Sequence, residues 1–183
     1  MLLTPWPPVP VITTERLVMR DMTEDDIPAF FRMRSNEEIM RYIDRPLAKT
    51  YDDVKLLLDK TAALQLTGEA INWGITLKGD DTLIGTIGYY RIDKENFRPE
   101  IGYLLDIPYQ RKGIMTEAMK AIIAYGFNEM KAHTIIADIN PGNAASRAVA
   151  EKMGFVEEAH FRENLYSNGK FLDTVILTLH APK

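Results

Sequence analysis

Cysteine is absent from the 183-residue chain. A disulfide framework, a thiolate zinc site and a cysteine nucleophile are thereby excluded, and no metal site is expected. The absence also fits a reducing compartment. No apolar run approaches the roughly 20 residues needed to cross a bilayer. The opening MLLTPWPPVPVI lacks the basic segment and apolar stretch of a secretory signal. A cytoplasmic protein without membrane contact is the expectation. A basic stripe is missing too: 22 Lys and Arg against 26 Asp and Glu give a net charge of −4. Binding to nucleic acid rests on neutralising phosphates, so DNA is not an expected partner. Internal repeats and low-complexity segments are also absent.

What remains is an ordinary globular composition, 46% hydrophobic and 26% charged, at a length that suits one domain. Residues 1–10 carry Pro5, Pro7, Pro8 and Pro10 and read as an extended arm. Residues 11–183 read as a single folded domain that starts near Val11. ITTERLVMRDM alternates Leu17 and Met19 against Arg16, Val18 and Arg20, which predicts one strand. Thr23 or a neighbouring Asp caps a helix through IPAFFRMR, with Pro28 near its first turn. Val54, Leu57, Leu58 and Ala62 predict a helix over 51–66 that ends at Gly68. INWGITLK, LIGTIGYYRI and RPEIGYLL follow as strands. Met115, Ala118, Met119, Ile122, Gly126 and Met130 line one face of a helix over 114–130. TIIADI (134–139) is a strand, and Ala145, Ala148, Val149 and Met153 mark a helix closed by Gly154. The segment after Phe155 is a hairpin about a Ser167-Asn168-Gly169 turn. Strands 98–105 and 134–139, joined through a helix, should be parallel.

The segment DIPYQRKGIMTEAM runs from a strand end into a helix start, where free N–H groups and the helix dipole favour an anion. Gly113 permits close backbone approach, and Arg111 and Lys112 add positive charge. A solvated surface loop is the competing reading. The single strand–helix–strand unit and the lone glycine argue against a dinucleotide-binding domain.

Gln110-Arg111-Lys112-Gly113-Ile114-Met115 resembles the Q/R-x-x-G-x-G/A motif with which GNAT acetyltransferases bind the acetyl-CoA pyrophosphate. Asn143…Ser146, then Glu151-Lys152-Met153-Gly154-Phe155, resembles their N-x-x-S and EK-x-GF signatures. PEIGYLL, Gly169…Asp173 and the opening TERLVMRDMTEDD are similar to the ribosomal-protein N-acetyltransferase (RimJ/RimL-like) branch. The resemblance covers about residues 11–180. It implies an α/β (α+β) fold: a mixed, mostly antiparallel sheet with one splayed parallel strand pair and helices on both faces. It also implies acetyl-CoA as co-substrate. The main chain of Tyr103, Leu104 and Leu105 would meet the pantetheine, and Gln110 to Thr116 the pyrophosphate. Two departures stand out. Met115 replaces a small residue and must point away from the ligand. Ala150 stands where many relatives carry a tyrosine acid.

Acetyl transfer needs a base for the amine and a proton for the departing thiolate. Glu100 is the expected base; a structural pairing with Arg98 is the alternative, and Glu163 and His160 are rivals. Ser146 is expected to serve the thiolate. Asn143 is a cofactor ligand, a helix cap or both; Asn140 is a ligand or a turn residue. Tyr42, Trp73, Tyr89, Tyr90 and Tyr166 are core or acceptor-pocket aromatics. The expected function is acetylation of a primary amine, foremost a protein N-terminal α-amine, a ribosomal protein being one such acceptor. A small-molecule amine and a non-catalytic acetyl-CoA sensor remain open, as do monomer and homodimer.

Overall fold

The computed structural model describes residues 8–167 and 169–182. In chain order come β1 (Ile12–Thr13), β2 (Leu17–Arg20), α1 (Ile27–Arg34), α2 (Glu37–Met40), α3 (Tyr51–Thr67), β3 (Ile71–Leu77), β4 (Asp80–Asp93) and β5 (Arg98–Leu105). Then follow α4 (Ile114–Asn128), β6 (Thr134–Ile139), α5 (Ala144–Lys152), β7 (Val156–Ser167) and β8 (Lys170–His180). The strands form one eight-stranded sheet in the order β1-β2-β3-β4-β5-β6-β8-β7, antiparallel throughout except for β5 and β6. Helices cover both faces.

Each face has its own core. α4 turns Met115, Ala118, Met119 and Ile122 onto Trp73, Ile87 and Ile135, and each buried Met or Ile contributes roughly 1.5–3 kcal/mol. Gly126 completes that face for a steric reason: a Cβ there would lie 2.3 Å from the Tyr89 hydroxyl, which itself donates to the Ile122 carbonyl at 2.8 Å. On the opposite face Phe30, Met33, Met40 and Val54 pack with Leu83 and Leu104.

Several sequence expectations need correction. ITTERLVMRDM is a tight hairpin rather than one strand: Ile12 pairs with Met19, and the Thr14 hydroxyl accepts from the Leu17 N–H at 3.1 Å. The four-residue α2, capped by Asn36, was too short to leave a periodic trace. The helix after Gly113 stops at Asn128: the Met130 N–H reaches five residues back to the Tyr125 carbonyl and Lys131 turns left-handed at φ 61°, although Met130 stays fully buried. On α5 it is Ala150 that is buried; Ala145 and Ala148 face solvent. Pro5, Pro7 and Asn168 of the expected arm and turn lie outside the described residues. Val9 and Pro10 are packed: Val9 is buried, and the Trp73 indole donates to the Pro10 carbonyl at 2.7 Å.

Candidate active site

An interruption in the sheet builds the site. Glu100 with Ile136 is the one registered pair between β5 and β6 among the described residues. Before it, the His133 N–H bonds the Phe97 carbonyl at 2.8 Å. After it, β5 stays on β4 as far as Leu105 and β6 stays on β8 as far as Ile139. The facing edges diverge into a slot whose peptide groups call for partners that neither strand supplies.

The slot leads to the loop before α4. Asp106 accepts from the Ile107 N–H and takes a salt bridge of 2.8 Å from Arg32, which pins the strand end. The Gln110 side chain donates to the Leu105 carbonyl at 2.9 Å. Arg111 (φ 58°) and Gly113 (φ 76°) take left-handed backbone, a conformation that costs a side chain but not glycine. Arg111, Lys112 and Gly113 are exposed, Thr116 is half-buried, and Ile114 and Met115 turn into the core. Met115 thus points away from the loop, as its bulk required. The first-turn N–H groups of α4 have no acceptor inside the helix.

A brace holds this loop from behind. Glu117, in the first turn of α4, accepts from the Thr14 hydroxyl (2.6 Å), the Arg16 N–H (2.8 Å) and the Arg16 guanidinium (2.6 Å). Arg16 also donates to the Lys112 carbonyl at 3.1 Å. Burial works to raise the Glu117 carboxyl, but the bonds from Thr14 and Arg16 outweigh it and hold it below the usual range. The alternation of residues 16–20 had placed Arg16 in solvent; only its distance from Glu117 in the chain hid the pairing.

Across the slot, Asn140 accepts from the Gly142 N–H at 2.9 Å and Asn143 caps α5 by accepting from the Ser146 N–H at 3.1 Å. Tyr103 reaches over from β5 and donates to the Ser146 carbonyl at 3.1 Å. Burial pushes the Tyr103 phenol up, with the Ser146 side chain pulling the other way, so it remains a donor at neutral pH. Leu104 packs on the other face, beside Phe30 and Met33.

Glu100 projects from that other face too, with its side chain 15% exposed. Arg91, not Arg98, is its partner, at 2.5 Å; Arg98 pairs with Asp93. Burial raises the Glu100 carboxyl against the pull of Arg91. Asp138 on β6, which no sequence motif marks, faces Arg91 at 3.7 Å, and burial raises it as well. The rival groups gather elsewhere: His160 pairs with Asp173 at 2.8 Å, and exposed Glu163 donates its N–H to the same carboxylate. Of the aromatics, Trp73 and Tyr89 are core and the Tyr90 hydroxyl bonds Asn72. Tyr166 packs on Phe171 on the hairpin. Tyr42 leans on the turn after β6, 3.3 Å from where a Gly142 Cβ would sit.

The sequence pattern described as "Acetyltransferase (GNAT) domain" matches residues 16–156. The chain belongs to the GNAT acetyltransferases. Among GNAT proteins it is 32% identical over 174 residues to the uncharacterized N-acetyltransferase YoaA of Bacillus subtilis, covering 95% of this chain and 98% of that one. It is 25% identical to the [Ribosomal protein uS5]-alanine N-acetyltransferase of Escherichia coli, covering 93% and 91%. Its fold superposes on RimL, a ribosomal alpha-N-protein acetyltransferase solved in complex with coenzyme A, with a TM-score of 0.85 at 21% identity, covering 93% and 98%. The GNAT framework of mixed sheet, one parallel pair and helices on both faces is therefore the fold of this enzyme. No helix among its described residues is long and apolar enough to cross a membrane.

Proposed function

We propose that this GNAT enzyme transfers acetyl from acetyl-CoA to a primary amine, foremost the α-amine of a protein N-terminus. The observation that carries the reading is the slot: two parallel strands that part after one registered pair and open toward a helix start flanked by Arg111, Lys112 and Gly113. The loop suits a pyrophosphate, since its glycine leaves the backbone uncovered and its bulky neighbours Ile114 and Met115 are buried. Residues 110–116 would hold the phosphates, the edges near Tyr103, Leu104 and Leu105 the pantetheine, and Asn140 and Asn143 the turn beside it. Acetyl-CoA supplies an activated thioester.

Glu100 takes a proton from the incoming ammonium. The freed nitrogen then forms the N–C bond as the C–S bond breaks, the Ser146 hydroxyl donates to the departing thiolate, and the second amine proton, released as the amide forms, returns to Ser146 through water. The products are the N-acetyl amine, the free thiol and the proton on Glu100. Similarity to an enzyme named as a ribosomal protein uS5 alanine N-acetyltransferase supports the protein acceptor. A small amine is the second reading, favoured by Tyr42, whose ring lies against the Gly142 turn after β6.

Thiol release from acetyl-CoA, followed with free-amine peptides, polyamines and amino sugars, tests the reading. Turnover is expected with the peptides; turnover with polyamines alone would replace the acceptor class, and none with any amine would overturn the function. Glu100→Gln is expected to lower kcat about 10²-fold with acetyl-CoA affinity preserved.

A further inference from the structure

Arg91 sits at a break in the β4–β5 ladder. Tyr90 pairs with Glu100, and the next registered pair is Asp93 with Arg98, so Arg91 and Ile92 together face Pro99 alone. At that bulge Arg91 adopts φ 49°, left-handed backbone that is sterically costly for an arginine. Bulges re-aim side chains, and this one carries the guanidinium back over the sheet to Glu100 at 2.5 Å and toward Asp138 at 3.7 Å. Two carboxylates from the two strands that border the slot thus share one cation. Their exposures differ from its own: Glu100 is 15% exposed and Asp138 27%, while the Arg91 side chain is 69% exposed. An ion pair with one partner so open to water is weak, and the arginine can swing into solvent at little cost. The carboxylates cannot follow it.

We propose that Arg91 is a displaceable counter-ion, whose guanidinium occupies in the free enzyme the place that an acceptor's ammonium takes between Glu100 and Asp138. The proposal rests on the acetyltransferase reading for the identity of the incoming group and adds its chemical form. The acceptor arrives as a cation, exchanges with the guanidinium, and only then yields its proton to Glu100. Neutral or anionic nucleophiles, which cannot replace the cation, are disfavoured. Other charges nearby are Arg45, which acts on Glu100, and Asp44, which acts on Asp138. Neither pairs directly with the two carboxylates among the described salt bridges.

The test uses methylammonium chloride on the whole enzyme, with sodium chloride at equal ionic strength as control, read from the carboxyl 13C resonances of Glu100 and Asp138. Arg91→Met keeps the length and the backbone constraint but removes the charge; Arg91→Lys keeps the charge. In Arg91→Met both resonances are expected to respond to roughly fivefold less methylammonium than in wild type, the scale of one exposed ion pair. Arg91→Lys should behave like wild type. The Glu100 titration should also move to higher pH in Arg91→Met, since loss of a neighbouring cation disfavours the carboxylate. Equal sensitivity in wild type and Arg91→Met, or no response in either, would overturn the proposal. The readout needs no turnover, so its failure leaves the acetyltransferase reading standing, and failure of thiol release leaves this result intact.

Discussion

At the scale of the residue, Ser146 and Tyr103 form the least expected pair. Asn143 takes the cap by accepting from the Ser146 N–H, so the helix does not need the serine hydroxyl for that purpose. Ser146→Ala is therefore expected to cost on the order of 2–4 kcal/mol in the transition state, seen in kcat, with acetyl-CoA affinity and melting temperature nearly unchanged. Tyr103→Phe removes the bond that fixes the Ser146 carbonyl and should lower kcat about tenfold by the same assay, since a misplaced donor loses part of its effect. Wild-type turnover in Ser146→Ala would remove serine from the reaction. As candidates, Glu100, Ser146 and the 110–116 loop can be singled out in the sequence because short motifs carry them. Arg91 and Asp138 were not, because nothing in a linear sequence announces that a bulge brings residue 91 to strands 98–105 and 134–139.

The elements follow a similar division. β-branched runs such as TIIADI and the spacing of Met115, Ala118, Met119 and Ile122 state their periods plainly, so β6 and α4 were readable within two residues. The β1–β2 hairpin was not, because its alternation continues through the turn and mimics a single strand. Its functional meaning lies in the brace it sends to α4. Arg16→Ala cuts the tie to Glu117 and Lys112 and leaves a carboxylate in the first turn without its cation. Acetyl-CoA affinity is expected to fall severalfold, and Gly113→Ala to cost about 1–2 kcal/mol of stability from its left-handed backbone. Calorimetric titration and denaturant unfolding measure the two. Unchanged affinity in Arg16→Ala would mean that the loop holds its shape unaided.

For the whole molecule, the packed chain reaches back further than the sequence suggested. Val9 is 6% exposed within the main core, and Pro10 satisfies the Trp73 indole. A proline-rich composition speaks of stiffness, not of where a stiff segment docks, so the attachment could not be foreseen. Val9→Ala removes two buried carbons and is expected to lower stability by about 1.5 kcal/mol. Urea unfolding would read this as a lower midpoint with an unchanged slope; no change would return Val9 to a loose arm.

Every open sheet has two outer margins, and unpaired strands there are the usual starting points for aggregation. The parting of β5 and β6 gives this sheet a third margin, set in its interior. A foreign strand would have to slide edgewise between two strands already committed to neighbours on their far sides. Something narrow, unbranched and amide-bearing meets no such obstacle. With the pantetheine placed as proposed, the fold keeps an incomplete hydrogen-bond ladder available to the cofactor while denying it to other chains, and selects for the slender before any side chain is consulted.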